Sequence, residues 1–326
     1  MTSPLLVLPG AVPADTPDAG VALHYGDPFR EQRTYAGGDG FVDRSHRDVV
    51  RISGPDRLSW LHSLMTQHLE KLEPFTASTS LVLSPNGHVE HVLELVDDGE
   101  AVWAHVEPGR ARPLVAFLDS MRFMLRVDVT DVTEDFGVLT LASAGSPAAE
   151  GLLSRTDRLG TDVFVPRAEL VARGRRAGPA AGIWAYEALR IAARVPREGR
   201  ETDHRTIPHE VGWIESAVHL HKGCYRGQET VARVHNLGRP PRRLVFLHLD
   251  GSAERLPEHG DQVTADGADV GFVTSAAQHY ELGAIGLALI KRSVPTDSPL
   301  LAGGIGASQE VVVSPDAGLH FKPALR

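Results

Sequence analysis

The single cysteine, Cys224, is the feature that most restricts how this chain can fold. With one cysteine in 326 residues, the chain can form no internal disulfide. It also lacks the several thiolates of a self-contained zinc or iron–sulfur site. The fold must therefore do without both kinds of crosslink. The chain is too long for a single core, which predicts two or three domains.

Bulk properties exclude several classes of protein. Hydrophobic residues make up 42% and charged residues 23% of the chain, as in ordinary globular proteins. A net charge of -9 argues against a general nucleic-acid binder, which needs a basic face. Apolar runs stay shorter than the ~20 residues of a membrane span. Residues 1–12 contain two prolines and no basic residue, so we expect no signal peptide. The lone cysteine fits a cytoplasmic protein.

Cys224 lies in the run Lys222-Gly223-Cys224-Tyr225-Arg226-Gly227-Gln228-Glu229. The two glycines allow backbone angles or close approaches that a side chain would prevent. Lys222 and Arg226 could stabilise a thiolate on Cys224, and so could a protonated His221. A second interpretation is a tight turn in which Cys224 is a small buried apolar residue. The residue types alone leave both interpretations open.

The first half of the chain reads as helices and antiparallel strands. Residues 1–40 are rich in Pro, Gly, Asp and Ala and predict a poorly ordered or clamped lead-in. Ser53-Gly54-Pro55-Asp56 predicts a helix start. Asn86-Gly87 predicts a hairpin turn within an antiparallel meander, in contrast to a βαβ nucleotide fold. We predict strands at 79–83, 88–96, 101–106, 125–132 and 138–141. We also predict a helix at 113–124 and the start of another at 148–153.

In the second half of the chain, a helix and an irregular segment are followed by a series of short strands. A helix is predicted at 183–193, and residues 173–176 read as a basic solvated loop. Residues 200–219 form an irregular polar segment that could line a pocket. The 16 histidines show no cluster with metal-ligand spacing, and we assign no metal site. Residues 238–243 read as a linker in which Arg242 and Arg243 are solvated. Strands at 244–249, 261–263, 270–273, 284–290 and 311–313 predict a small antiparallel barrel.

The run of residues 222–229 resembles the motif K-G-C-Y/F-x-G-Q-E of the YgfZ family. Members of that family are folate-binding proteins built like the aminomethyltransferase (T-protein) of the glycine cleavage system. Further segments are similar to elements of that fold, namely residues 54–56, 86–87, 187–191, 208–210 and 269–275. The resemblance implies an α+β fold in which antiparallel sheets and helices surround a central folate-sized hole. It implies a lead-in at 1–40, a folate-binding region of two subdomains at 41–239, and a C-terminal antiparallel β-barrel at 240–326.

The resemblance also implies a function. It is that of a tetrahydrofolate-binding accessory protein for the assembly or repair of iron–sulfur enzymes, including enzymes that modify tRNA. Tetrahydrofolate or a one-carbon derivative is the implied cofactor, and iron–sulfur client or assembly proteins are the implied partners. We take Cys224 as the candidate reactive thiol. The candidate cofactor-binding residues are Glu90, Arg190, Glu210, Trp213 and Arg226.

One departure from the transferase argues against its chemistry. The transferase has an aspartate shortly after the hairpin turn, where this chain has Glu90 or His91, and a pterin-binding glutamate where it has Ala192. Transfer needs a carboxylate within reach of the reacting nitrogen. We therefore favour lost transferase activity with retained folate binding. Two alternatives stay open: a tetrahydrofolate-dependent aminomethyltransferase-like enzyme of one-carbon metabolism, and a protein-interaction scaffold without folate.

Overall fold

The computed structural model describes residues 1–214, 216–236 and 238–318. These residues form two compact units. The first unit comprises Met1–His62, His68–Ser80 and His91–Leu189, and the second comprises Ser63–Gln67, Leu81–Glu90 and the described residues from Arg190 onwards. In the described part, no helix has the length and apolar character needed to cross a membrane. The α-helices are α1 (Pro28–Ala36), α2 (Arg57–Leu64), α3 (Ala111–Ser120), α4 (Leu170–Ala177), α5 (Ile183–Ala192) and α6 (Gln228–Asn236).

The N-terminal 40 residues contribute to the first unit. They contain the paired short strands β1 (Val12–Pro13) and β2 (Ala22–His24), followed by α1. Leu5 is completely buried in a core cluster of this unit. The helix α1 was missed from the sequence, although Asp27 caps it by accepting from the backbone nitrogens of Phe29 and Arg30. The surrounding Pro and Gly residues obscured this cap, which is a standard helix-start signal.

A five-stranded sheet organises one part of the first unit. Its spatial order is β10-β11-β9-β3-β12, antiparallel except for the β3–β12 pair. The strands are β3 (Phe41–Asp43), β9 (Phe136–Leu141), β10 (Ser154–Asp157), β11 (Gly160–Pro166) and β12 (Ala180–Ala181). The basic loop predicted at 173–176 is wrong, because these residues lie in α4. Leu170, Gly174 and Ala177 bury one face of that helix, and this spacing outweighs the arginines on the other face.

A second five-stranded sheet has the order β5-β6-β7-β4-β8. Its strands are β4 (Asp48–Ser53), β5 (Ala77–Leu83), β6 (Val89–Asp97), β7 (Ala101–Val106) and β8 (Asp128–Asp131). The predicted meander corresponds to β5, β6 and β7, which are neighbours in chain order. The helix predicted at 113–124 ends earlier, as α3, because Phe123 and Met124 are exposed and Phe123 has a φ of 49°. The helix predicted from 148 is only a 3-10 turn, Pro147–Ala149.

The second unit contains a closed six-stranded antiparallel barrel, which confirms the predicted fold class. Its order is β13-β16-β15-β14-β17-β18. The barrel core contains Val245, Leu247, Val273 and Ile290. The strands are β13 (Arg242–Leu249), β14 (Gln262–Ala265), β15 (Ala268–His279), β16 (Gly283–Lys291), β17 (Leu300–Ala302) and β18 (Ile305–Val311).

The solvated linker predicted at Arg242 and Arg243 is wrong. Both residues begin β13, and Arg243 is completely buried. Its guanidinium donates to the Val294 carbonyl at 3.0 Å and to Gln309 Oε1 at 2.7 Å. Two adjacent prolines and a run of arginines suggested a linker, yet the arginines have partners that are distant in the sequence.

Candidate functional site

The cysteine run forms an irregular turn that leads directly into α6. Residues 222–227 precede the helix, whose first residue, Gln228, donates its backbone N–H to the Tyr225 carbonyl at 3.2 Å. Cys224 is exposed and free. The interpretation of Cys224 as a small buried residue is therefore wrong. Its neighbours Lys222 and Tyr225 are buried, so the run turns its flanking side chains inward and its thiol outward.

Lys222 anchors the turn to a loop of the same unit. Its Nζ donates to the Met65 carbonyl at 2.5 Å and to the Gln67 carbonyl at 3.1 Å. The ammonium also lies 5.2 Å from the ring centroid of Tyr225, a cation–π contact. Burial lowers the pKa of Lys222 to about 8 and raises the pKa of the Tyr225 hydroxyl to about 12. These partners fix Lys222 in place.

Arg226 forms an ion pair with Glu90, a residue at the start of β6. Its Nη1 donates to Glu90 Oε2 at 2.8 Å, and both side chains are partly exposed. Glu229 instead forms an exposed pair with Arg233 within α6, at 3.4 Å. Such a pair adds little to stability. Stabilisation of the Cys224 thiolate by Lys222 and Arg226 stays a prediction, because the contacts described for both cations are with other groups.

Two glycines explain how the turn approaches the hairpin. Gly227 has a φ of 83°, and a Cβ there would lie 2.6 Å from the Ser84 carbonyl oxygen. Gly87, with a φ of 79°, would place a Cβ 2.8 Å from Thr230 Cβ. Both positions need the conformational freedom of glycine as well as its small size. The hairpin turn and the start of α6 thus contact each other through these glycines.

The irregular segment at 200–219, which precedes the run at 222–229, contributes buried contacts to the second unit. Glu210 is completely buried and accepts from Arg242 Nε and Nη2, each at 2.9 Å. Arg242 also donates to Asp203 at 2.6 Å, and this contact helps to lower the pKa of Asp203 although its partial burial opposes the shift. Trp213 is buried as well. Glu210 and Trp213, two of the candidate cofactor-binding residues, therefore help to build the unit.

Arg190 also has a supporting role. It is buried and donates to Glu201 Oε2 at 2.9 Å and to Ser275 Oγ at 2.8 Å. Glu201 Oε1 accepts in turn from Thr274 at 2.8 Å and Ser275 at 2.6 Å. Glu201 lies in the irregular segment 200–219 and was not among the candidate residues. Two of the segments that carried the resemblance, 187–191 and 269–275, thus meet through Arg190 and Ser275.

Of the five candidate cofactor residues, Glu90 and Arg226 keep solvent-accessible side chains. His91, the other alignment choice for the transferase aspartate, is buried. Desolvation, with a smaller effect of Arg110, lowers the pKa of the His91 imidazole to about 4. The structure also corrects the expectation that histidines form no ligand cluster. His62, His68 and Glu70 lie together in the first unit.

The comparison with known proteins begins with the barrel. A family model described as the glycine cleavage T-protein C-terminal barrel domain matches residues 242–313. The matched segment contains all six strands of the closed barrel, from the start of β13 to the end of β18. Its last two residues follow β18. The match places the barrel, which was predicted from short apolar strands separated by turn residues, within a known family of domains.

Relatives extend the match to more than three quarters of the chain. The aminomethyltransferase of Rubrobacter xylanophilus is 31% identical over 286 residues, covering 77% of this chain and 76% of that protein. The chain belongs to the aminomethyltransferase family. The aminomethyltransferase of Geobacillus kaustophilus is 30% identical and covers 78% of this chain and 80% of that protein.

Two more distant comparisons agree with this membership. An Arabidopsis thaliana protein, named as a chloroplastic transferase, is 25% identical over 283 residues, and the match spans 75% of this chain and 64% of that longer relative. The crystal structure of glycine cleavage system aminomethyltransferase T from Bartonella henselae superposes with a TM-score of 0.78. It covers 96% of both chains at 17% identity. At that identity, the likeness establishes the shared fold.

Sequence reasoning found the run at 222–229 because it is contiguous. It missed the groups that hold the run, namely the carbonyls of Met65 and Gln67. Backbone carbonyls leave no trace in a sequence, and these two lie more than 150 positions from Lys222. The buried Glu201 was missed for a related reason. A single acidic residue in an irregular segment carries no periodic signal.

Proposed function

We propose that this member of the aminomethyltransferase family is a folate-binding accessory protein of the YgfZ type. In this proposal it supports the assembly or repair of iron–sulfur enzymes, including enzymes that modify tRNA. Tetrahydrofolate or a one-carbon derivative is its ligand. The observation that supports the proposal best is the exposed thiol of Cys224 on an anchored turn. The family membership supports the folate, and the motif at 222–229 supports the YgfZ type.

The donor set is compatible with a folate. Glu90 offers a carboxylate that suits the N–H donors of a pterin, and Arg226 offers a guanidinium that suits a glutamyl carboxylate. Arg190, Glu210 and Trp213 would act through the unit that they stabilise. When bound, the folate would supply a carrier for one-carbon units. The residues of this chain would bind and orient it.

Cys224 would act towards the client protein. The deprotonated thiol is the form that binds metals and attacks electrophiles. Its proton would pass to solvent, since the side chain is exposed. Lys222, with its pKa lowered to about 8 and its ammonium bonded to two carbonyls, would hold the turn that presents the thiol. In this proposal Lys222 anchors the turn and Cys224 reacts with the client protein.

The same residues argue against transfer chemistry. The position of the pterin-binding glutamate is Ala192. Glu90, the accessible substitute for the transferase aspartate, is already paired with Arg226. A carboxylate that must exchange a proton with a folate nitrogen would have to leave that pair. The enzyme alternative is still favoured by the relatives named as aminomethyltransferases.

Calorimetric titration tests the proposal directly. The purified protein is titrated with tetrahydrofolate and with its formyl and methylene forms. We expect saturable binding at one site with a Kd in the micromolar range. Cys224→Ser should bind the same folate equally well, since the thiol acts on the client. The variant should fail to restore iron–sulfur enzyme activity in a strain that lacks the protein.

Each other outcome excludes one part of the proposal. No binding by any folate form would remove both folate hypotheses and leave the scaffold. Full complementation by Cys224→Ser would remove the reactive thiol. Formation of the methylene form from tetrahydrofolate and an aminomethyl donor, with release of ammonia and the free carrier, would establish the transferase alternative. Cys224→Ala serves as the matched control, because Ser could still act as a weak ligand.

A further inference from the structure

Three potential metal ligands converge in the first unit. His62 lies near the end of α2, and His68 and Glu70 follow in the loop that succeeds the helix. One ligand atom from each lies within 4.8 Å of the other two. The rings of His62 and His68 meet edge to face, with centroids 4.7 Å apart. The three groups therefore form a compact cluster of two imidazoles and a carboxylate.

The loop folds back on the helix end through a backbone contact. The backbone N–H of Glu70 donates to His62 Nδ1 at 3.4 Å, a long and weak hydrogen bond. A cation that took a lone pair of this ring would displace that bond at small cost. His62 and His68 are half-buried and Glu70 is exposed, so an ion can enter from solvent.

The ligand set selects a class of ion. Imidazole suits zinc and neighbouring first-row metals, whereas calcium and magnesium prefer oxygen ligands alone. Tetrahedral zinc with bonds of about 2.0–2.1 Å holds its ligand atoms about 3.4 Å apart. Relative to the 4.8 Å limit in the cluster, the side chains would have to close by about 1.4 Å at most. A half-buried surface loop can make such a change through rotamer shifts.

We propose that His62, His68 and Glu70 bind a divalent first-row metal ion of the zinc class. Three protein ligands leave a fourth position for water. The ion would tie the loop at 68–70 to the end of α2. The inference is independent of the proposed folate function, since none of its residues belongs to the run at 222–229. Sequence spacing concealed the cluster, because a helix end and a returning loop bring the ligands together.

Zinc titration of the chelator-treated full-length protein, by calorimetry at pH 7.5, tests the site. We expect one equivalent of Zn²⁺ to bind the wild type with micromolar affinity. His68→Ala and Glu70→Gln each remove a direct ligand. They should weaken binding about tenfold or more, since even residues behind a metal ligand contribute about that factor. His204→Ala, which removes an exposed histidine outside the cluster, should leave the affinity unchanged.

The thiol needs its own control, because the exposed Cys224 is also a potential metal ligand. Cys224→Ser should bind zinc as the wild type does. Loss of binding in Cys224→Ser, equal binding by His68→Ala, or no binding by the wild type would each overturn the proposal. Zinc should also raise the melting temperature of the wild type more than that of Glu70→Gln. Melting without metal confirms that each variant is folded.

Discussion

Lys222 is a buried cation whose contacts are backbone carbonyls and an aromatic ring. Two carbonyls and the Tyr225 ring compensate in part for the water it has lost. The lowered pKa records the remaining penalty. Two residues later, Cys224 is exposed to solvent. Within three residues, the chain thus combines a group fixed by burial with a group available for reaction.

This burial makes a testable contribution to stability. The pKa of Lys222 is about 8 in the folded protein and 10.5 in its ordinary state. Between these values the unfolded state binds more protons, so the free energy of unfolding should rise with pH. Lys222→Met removes this increment. We expect the wild type to gain stability relative to the variant between pH 7 and pH 9.5, as measured by urea unfolding of both proteins. Groups common to both cancel in the difference, and a difference independent of pH would contradict the shift.

At the scale of elements, the hairpin between β5 and β6 and the start of α6 depend on each other through two glycines. Gly87 and Gly227 come within contact distance, and neither position has room for a Cβ. The Asn86-Gly87 turn could be predicted from its local chemistry. Its contact with a glycine 140 positions later could not, because nothing in the local sequence encodes such a partner.

Gly227 is needed both for its positive φ and for the close approach of the hairpin. Comparing Gly227→Ala with Gly304→Ala separates these two requirements. Both glycines have a φ of 83°, but a Cβ at Gly304 meets no atom within 4 Å. Gly304→Ala should cost about 1 kcal/mol, the strain of a left-handed backbone. Gly227→Ala should cost about 1–3 kcal/mol more, because the hairpin carbonyl must move. Urea unfolding measures both variants. Equal losses would show that the close approach is unimportant.

The sequence predicted those elements that have local signals and missed those whose cause is tertiary. Four barrel strands, β13 to β16, coincide with short apolar runs that turn residues separate. The strand β17 was missed, and the strand predicted at 311–313 shares only residue 311 with β18. The helix α4 was missed because its arginines suggested a loop, while its small buried face, which includes Gly174, was hard to recognise. At the candidate site, the motif was found by its contiguity. Its anchors and the partners of the linker arginines are distant in the sequence and are brought together only by the fold. The cluster of His62, His68 and Glu70 forms because the loop after α2 returns to the end of that helix.

At the scale of the whole molecule, each unit has a buried ionic network. In the first unit, Asp162 accepts from Arg44 at 3.1 Å, His105 at 2.8 Å and Arg155 at 2.7 Å. These partners outweigh the effect of burial and hold the pKa of Asp162 well below its usual range. In the second unit, the buried Glu201 forms an ion pair with Arg190 at 2.9 Å. Removing one member of such a network costs about 3–5 kcal/mol, because it leaves a buried charge unpaired.

Acid should destabilise the molecule through two buried histidines. Burial is the main reason that the pKa values of His91 and His105 fall to about 4. From about pH 6.5 down to about 4, the unfolded state binds more protons, so stability should decrease as the pH falls. His91→Leu should reduce this slope by about 1.4 kcal/mol per pH unit near pH 5.

The same variant should lose little stability at neutral pH. Among the described residues, His91 Nδ1 has no hydrogen-bond partner, and an apolar side chain suits such a position. Urea unfolding from pH 4.5 to pH 7 gives the slope for each protein. An unchanged slope in His91→Leu would show that His91 titrates normally.

The closed barrel also affects how copies of this chain meet in concentrated solution. Each barrel strand pairs on both sides, so the barrel offers no open row of N–H and C=O groups to another chain. The five-stranded sheets do have edge strands. Two of them, β8 and β10, carry charged residues, Asp128 and Asp131 in one and Arg155 and Asp157 in the other, and β12 is only two residues long. The fourth edge strand, β5, carries no charged residue, but Leu81 in it donates its N–H to Thr66 Oγ1 at 2.9 Å and accepts from the Thr66 N–H at 3.0 Å. Edges that are charged, very short or already paired in this way resist strand-to-strand aggregation. We therefore expect the folded protein to stay dispersed at high concentration.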